Sequence, residues 1–161
     1  MTALKKWLII TSLVVLVLIG ISAGAYIHAM KPKNEAYKRA FNEAQNEAGL
    51  VTKDKFYIYN GMESYYVVVG RDEQKKQKIV WIPFDKKRKV VIKDFRSGKT
   101  EEDIRKIVAS EMNPEKIITV KLGMEKSVPL WEVTYLDEKN RYNYEYYEFK
   151  TGELLKFYRN I

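Results

Sequence analysis

The sequence predicts an α+β protein in which an N-terminal transmembrane helix precedes two tandem units, each a helix plus a four-stranded antiparallel sheet. Three observations predict this fold. A long uncharged segment lies near the N-terminus, the remainder alternates between helical and strand-like apolar spacing, and the order of one helix then four strands occurs twice. The predicted boundaries are 1–6 for a cytoplasmic N-terminus, 7–30 for the membrane span, 33–96 for the first unit and 97–161 for the second.

The N-terminal segment is long enough to cross a membrane. From Trp7 to Met30 no residue carries a formal charge, and as a helix this run is about 36 Å long, against roughly 30 Å for the hydrocarbon core. Lys5 and Lys6 precede it, which favours a cytoplasmic N-terminus, although basic residues also follow the run. A cleaved secretory signal is the alternative, because Ala23-Gly24-Ala25 fits a cleavage pattern. Both interpretations export the rest of the chain.

The first unit begins after Pro32 with a segment of helical apolar spacing, which Asn34 is expected to cap and Gly49 to end. Four strand-like segments follow, separated by charged or glycine-containing connections. Their predicted ranges are 55–59, 65–69, 79–84 and 90–95.

The second unit repeats this order. Thr100 is a candidate N-cap, Asp103 completes an acidic capping box, and Asn113-Pro114 ends the helix. Four further strands are predicted at 116–121, 129–136, 141–149 and 153–158. A core of about 60 residues is marginal without disulfides or metal, so we expect the two units to pack against each other.

Short identities support an internal repeat. Gly61-Met62-Glu63 recurs as Gly123-Met124-Glu125, and Asp72-Glu73 recurs as Asp137-Glu138. Phe84 aligns with Phe149 at the second of these offsets. Each identity is weak alone, but their shared order favours a duplication.

The composition narrows the classes of function. The chain has 161 residues, no cysteine and one histidine, His28. Disulfides, cysteine catalysis, a Ser-His-Asp triad in the exported part and a His/Cys zinc site are therefore excluded. The sequence contains no phosphate-binding glycine loop, and Glu145 and Glu148 lie on opposite faces of a strand. We expect no enzymatic activity, no metal and no cofactor.

Two groups of residues are candidate binding surfaces. Tyrosines alternate along the strand near the C-terminus, and one row of them exceeds what the core needs; the candidate partner-binding residues are Tyr142, Tyr144, Tyr146 and Tyr147. The formal charge is +8, which favours anionic partners. Solubility and edge protection are the first explanation for two basic turns, and contact with lipid headgroups or anionic wall polymers is the functional alternative; the candidate contacts are Lys75, Lys76, Lys86, Lys87, Arg88 and Lys89. Nucleic acid is disfavoured because export separates the domain from it.

Five features stand out together: the segments KKWLIITSLVVLVLIG, EAYKRAFNEA and YYVVVGRDE, the paired GME motifs, and the segment WEVTYLDEKNRYNYEYYEFKTGELL. In these features and in its layout the sequence resembles the TseB-like cell-wall elongation regulators of Gram-positive bacteria, and it is similar to tandem PepSY-like (cystatin-like) domains. The resemblance implies a membrane-tethered, extracytoplasmic protein that binds an elongation-specific penicillin-binding transpeptidase. Two alternatives stay open: an inhibitor or chaperone-like partner of an exported peptidase, and a module that binds wall glycan or anionic polymer.

Overall fold

The computed structural model describes residues 3–161, with side chains from residue 7 onward except at positions 27, 29–31 and 33. Part of the predicted cytoplasmic N-terminus, residues 1 and 2, therefore lies outside the described residues. The chain divides into two compact units, the first ending at Arg39 and the second running from Ala40 to Ile161.

The first helix, α1, spans Ala3–Ala48. Within it, Trp7–Tyr26 is long and apolar enough to cross a membrane, with a mean hydropathy of 2.6 and no buried residue. The prediction that Asn34 begins a separate helix is wrong, because α1 continues through Pro32. An interior proline lacks a backbone N–H and its ring crowds the carbonyl four residues earlier, which usually kinks or ends a helix, yet the hydrogen bonds on both sides of Pro32 keep α1 continuous. Gly49 ends α1 as predicted, with a left-handed φ of 66°.

The first sheet has four antiparallel strands in the order in which they follow one another along the chain. They are β1 (Lys55–Asn60), β2 (Ser64–Arg71), β3 (Gln77–Pro83) and β4 (Val91–Asp94). One face packs on the last turns of α1, where small alanines let the helix approach the sheet closely; this core comprises Ala40, Ala44, Ala48, Leu50, Val68, Val80 and Ile82.

A short 3-10 turn, Phe95–Ser97, leads into the second helix, α2, which spans Glu101–Met112. Both hydrogen bonds of the capping box predicted for Thr100 and Asp103 are present. Asn113 is left-handed and precedes Pro114, so the helix ends where the sequence predicts.

The second sheet repeats the meander of the first. Its strands are β5 (Lys116–Glu125), β6 (Val128–Leu136), β7 (Tyr142–Glu148) and β8 (Leu154–Tyr158). β5 is longer than predicted and includes the second GME motif, whose Gly123 pairs with Leu130. The first GME motif lies in the turn between β1 and β2. One GME motif therefore lies in a turn and the other in a strand, so the two are not structurally equivalent.

The two sheets share one hydrophobic core, as the small size of each unit predicts. It joins β1, β2 and β3 to α2 and the second sheet, and it includes Trp81, Ile104, Val108, Trp131 and Tyr147. The Trp81 indole donates a hydrogen bond of 2.9 Å to the Gly123 carbonyl. The Tyr59 ring lies so close to Gly123 that a Cβ there would come within 2.3 Å of it.

Candidate partner-binding surface

The last strand, β8, is an exposed apolar edge. It pairs only with β7, because the second sheet ends there. Apolar side chains project from both of its faces, and Leu155, Phe157 and Tyr158 are each about half exposed. An edge strand with apolar residues on both faces is normally protected by charge, by proline or by a partner. Among the described residues of β8 only Lys156 is charged.

A groove lies beside this edge. Its volume is about 460 Å³, and it is lined by Met62, Glu125, Lys126, Val128, Leu130, Leu155, Lys156 and Tyr158. We call it the β8 groove. Its rim is apolar and exposed, with Met62 70% exposed, whereas Leu130 in its floor is buried. Three separate parts of the second compact unit build it: the β1–β2 turn, the β5–β6 hairpin and β8.

An ion pair lies within the β8 groove. The Lys156 ammonium contacts both oxygens of the Glu125 carboxylate at 2.7 Å, and the Tyr59 hydroxyl donates a further hydrogen bond of 2.7 Å to Oε1. Burial alone would raise the pKa of Glu125, but the hydrogen bonds from Lys156 and Tyr59 lower it overall. Glu125 is therefore a carboxylate at neutral pH, and the pair presents little net charge to a ligand.

A row of side chains across the second sheet positions Lys156. Lys121, Glu132, Tyr146 and Lys156 are neighbours in register on β5, β6, β7 and β8. Lys121 pairs with the buried Glu132 at 2.7 Å, and the Lys156 ammonium lies 4.2 Å from the centre of the Tyr146 ring. A cation over an aromatic face is held by the quadrupole of the ring. The row therefore directs Lys156 toward Glu125 and away from solvent.

The four predicted tyrosines are placed differently from one another. Tyr142 is 47% exposed, Tyr144 is partly buried, and Tyr146 and Tyr147 are buried in the shared core. Burial raises the pKa of both Tyr146 and Tyr147 above its ordinary value, with hydrogen bonds to carboxylates adding to the effect. The exposed part of the candidate surface is thus its Tyr142 end, which lies just beyond the end of β8, where Tyr142 and Ile161 exchange backbone hydrogen bonds.

The second face of β7 carries a buried carboxylate, Glu145. It accepts hydrogen bonds from the hydroxyls of Tyr135 and Tyr147 and pairs with Arg159 at 2.5 Å. Glu148, in contrast, accepts a hydrogen bond from Thr151 at 2.6 Å on the surface. The two carboxylates do not converge, as the strand period predicts. Within the part of the chain that the structure describes, no group of three His, Cys, Asp or Glu side chains is arranged to hold a metal ion.

Comparison with known proteins gives the family. The "Cell wall elongation regulator TseB-like domain" matches residues 39–83. The "Probable cell wall elongation regulator TseB" of Bacillus subtilis (strain 168) is 39% identical over 155 residues, which cover 94% of this chain and 96% of that protein. The chain belongs to the TseB-like family of cell wall elongation regulators.

A solved structure agrees with this TseB-like assignment. The YpmB protein from Bacillus subtilis superposes with a TM-score of 0.70 at 39% identity, covering 76% of this chain and 96% of that chain. The resemblance inferred from the sequence is therefore confirmed at the level of the family.

The basic turns of this TseB-like chain are of two kinds. In the β3–β4 turn, Lys86 pairs with Glu43 at 3.2 Å and Arg88 with Glu63 at 2.5 Å, whereas Lys87 and Lys89 are exposed. In the β2–β3 turn, Lys75 and Lys76 are both exposed and line a polar pocket. The β2–β3 turn thus places two exposed cations at a concave surface.

The sequence did not single out the residues of the β8 groove as a site. Two signals pointed toward them in this TseB-like chain. The paired GME motifs supply Met62 and Glu125, and the final strand has apolar residues on both faces but only one neighbouring strand. Their convergence depends on the packing of β1 against β5, which no local pattern encodes.

Proposed function

We propose that the chain is a membrane-tethered, non-enzymatic regulator of cell-wall elongation that binds a class B penicillin-binding transpeptidase outside the cytoplasmic membrane. The observation that carries the proposal is an exposed apolar edge strand and groove on a protein whose relative is named a cell wall elongation regulator. The apolar segment Trp7–Tyr26 supplies the tether, with the cytoplasmic N-terminus at Lys5 and Lys6. The exported part comprises residues 33–96 and 97–161, each a PepSY-like (cystatin-like) unit.

A binding role fits the chemistry of the exported part. His28 is the single histidine and there is no cysteine, and the buried carboxylate Glu145 is neutralised by Arg159. The ion pair of Glu125 with Lys156 is likewise satisfied internally. These groups hold the sheet together, and nothing in their arrangement calls for a proton-transfer role.

The tether makes a modest interface sufficient. When two proteins are anchored to one membrane, the second encounter becomes effectively intramolecular and the local concentration of each rises. We propose that the partner docks an extended apolar segment along β8, because an open edge strand offers main-chain donors and acceptors. Met62, Leu155 and Tyr158 then provide the apolar contacts at the rim of the β8 groove.

The experiment is site-specific photo-crosslinking in cells. A photo-reactive amino acid is placed at Leu155 or Tyr158 in the full chain, and the trapped protein is identified by mass spectrometry. Ile92 is the matched control, because it is an exposed apolar residue on β4, the edge strand of the other sheet. Capture of a penicillin-binding transpeptidase from Leu155 or Tyr158, and not from Ile92, is expected.

Two results would contradict the proposal. Capture from Ile92 alone would move the interface to the first sheet, and capture of an exported peptidase in place of a wall transpeptidase would favour the inhibitor hypothesis. A transpeptidase identified by crosslinking is then purified with the full chain, and binding is measured for wild type and Leu155→Lys. A loss of affinity of at least about tenfold is expected, since a charge would enter an apolar contact.

A further inference from the structure

We propose that a cationic pocket beside the β2–β3 turn binds phosphate groups of a polyanion. The pocket has a volume of about 370 Å³ and lies where the β2–β3 turn meets the end of β4. Four cations and one carboxylate contribute to its lining: Arg71, Lys75, Lys76, Arg96 and Asp94. Two glutamine side chains complete the lining, so it carries an excess of positive charge and a supply of N–H donors.

The cations come from two separate parts of the chain. Arg71, Lys75 and Lys76 belong to the end of β2 and its turn, whereas Arg96 lies in the 3-10 turn after β4. Pairing of β3 with β4 brings the two parts together, because Lys78 pairs with Asp94. Concentrating cations from distant positions into one concavity raises the local potential, which a run of solvated lysines on a flat surface does not achieve.

Two of the carboxylates near the pocket, Asp94 and Asp54, already accept hydrogen bonds. The Asp94 side chain accepts a hydrogen bond of 2.8 Å from the Arg96 backbone N–H. Asp54 accepts one of 2.7 Å from Gln77, which leaves Arg71 at the longer distance of 3.4 Å. Lys78 is directed away, toward Asp72 at 3.0 Å. Lys75, Lys76 and Arg96 are exposed side chains at the pocket.

The equivalent turn of the second sheet provides an internal comparison. Asp72 and Asp137 each accept backbone hydrogen bonds from the second and fourth residues that follow them: Gln74 and Lys76 in the first turn, Lys139 and Arg141 in the second. In the second turn Arg141 also pairs with Asp137 at 2.7 Å. Lys76, the counterpart of Arg141, does not pair with Asp72, because Lys78 forms the ion pair with Asp72. The two turns thus share the same backbone hydrogen bonds, but the cation is paired in the second sheet (Arg141) and exposed in the first (Lys76).

Lys75 strengthens this comparison. It adopts a left-handed conformation with φ of 62°, and its counterpart Asn140 has φ of 56°. Asparagine tolerates this conformation well, whereas a lysine there costs conformational energy. Lys75 thus brings a positive charge to the pocket from a strained turn position, and strained backbone positions cluster at ligand-binding sites.

Phosphate is the ligand chemistry that fits best. An arginine offers a planar fork of donors to two phosphate oxygens, and lysines add point charges that tolerate several geometries. Neutral sugar would leave these cations without partners. The same phosphodiester chemistry occurs in anionic lipid headgroups and in phosphate-linked polymers outside the membrane, so the test has one arm for each source.

The test uses the full chain in nanodiscs of phosphatidylcholine. In the first arm, soluble poly(glycerol phosphate) is titrated and its dissociation constant is measured at several salt concentrations. In the second arm, co-flotation with phosphatidylglycerol vesicles is measured. The variant Lys75→Asn/Lys76→Gln removes two charges from the pocket, and Lys116→Gln/Lys139→Gln removes two exposed charges from the second sheet as a matched control.

We expect the pocket variant to lose about tenfold or more in affinity in at least one arm and to show a weaker salt dependence. The control variant should keep the wild-type affinity. Equal losses in both variants would overturn the proposal, because net charge alone would then explain the binding. Absence of binding in both arms would also overturn it. The arm in which the pocket variant loses affinity shows whether the phosphate belongs to a soluble polymer or to a lipid headgroup.

A stability measurement separates a ligand site from a structural turn. Because Asn relieves the left-handed strain, Lys75→Asn alone should keep or raise the melting temperature while lowering the affinity for the polyanion. A loss of both together would mean that the turn has collapsed, and would contradict the proposed role of Lys75. No transpeptidase is present in these measurements, so their outcome is independent of the proposed function.

Discussion

The Tyr59 hydroxyl donates a hydrogen bond of 2.7 Å to the Glu125 carboxylate, and this contact joins the first sheet to the second. The bond lies beside the β8 groove, where Lys156 balances the same carboxylate. The junction between the sheets and the candidate binding surface therefore share a residue. Changes at Tyr59 are expected to affect both stability and the shape of the groove.

Tyr59→Phe removes this hydrogen bond while keeping the ring that packs on Gly123. We expect the free energy of unfolding to fall by about 1–2 kcal/mol, because Glu125 loses one partner but keeps Lys156. Urea unfolding of the full chain in detergent measures it. Tyr142→Phe is the control, since Tyr142 is half exposed on the surface and should change stability little. An unchanged midpoint for Tyr59→Phe would show that the bond contributes nothing to the junction.

Gly123→Ala tests the packing of β1 against β5. The added Cβ would lie 2.3 Å from the Tyr59 ring, so either the ring or the strand must shift. We expect a destabilisation of roughly 1–3 kcal/mol, typical of an overpacked core. Gly24→Ala is the control, because no described atom outside the neighbouring backbone of its own helix lies within 4 Å of the added carbon. Equal melting temperatures for both variants would contradict the close approach of the sheets.

Asp137→Asn tests the acid stability of the β6–β7 turn. Hydrogen bonds from Arg141, first from its side chain and then from its backbone, lower the pKa of Asp137 from 3.8 to about 2. A carboxyl whose folded pKa is depressed contributes stability above its unfolded pKa and loses it as the pH falls through the folded value. The variant should therefore melt below wild type at pH 6, and the gap should close between about pH 4 and pH 2. A gap that stays constant down to pH 2 would rule out this role.

The tyrosine row separates core residues from surface residues. Tyr147→Ala should cost about 3–5 kcal/mol, because it empties a buried aromatic site and removes a partner of Glu145. Tyr142→Ser should leave the melting temperature nearly unchanged, since its side chain is exposed. Circular dichroism melts of both variants, followed by partner capture with Tyr142→Ser, measure the two effects. If Tyr147→Ala were as stable as wild type, Tyr147 would not be part of the core.

Local patterns were sufficient for most of the secondary structure. Seven of the eight strands begin and end close to their predicted ranges, because period-2 apolar spacing and the turn residues between strands act over a few neighbours. The capping box at Thr100 and the left-handed Gly49 were read from side-chain chemistry alone. The two errors, at Asn34 and in the length of β5, both come from pairing or helical continuity that overrides a local stop signal.

The candidate site depended on tertiary structure. From the sequence alone the tyrosine row of β7 has one surplus face, yet Tyr146 and Tyr147 on opposite faces are both buried, because β7 lies inside a core shared by two sheets. The apolar excess appears instead on β8, the last strand of the second sheet, where no further strand covers it.

What the sequence by itself determined is the apolar N-terminal segment, the repeated helix and sheet order, the excess positive charge and the lack of histidine and cysteine chemistry. These are properties of composition and of short-range spacing, and they need no knowledge of packing. Only the tertiary structure decided which aromatic residues are exposed, which lysines are paired and which turns meet in a groove. Exposure and pairing depend on contacts between residues far apart in the chain, and those contacts form when the two sheets pack together.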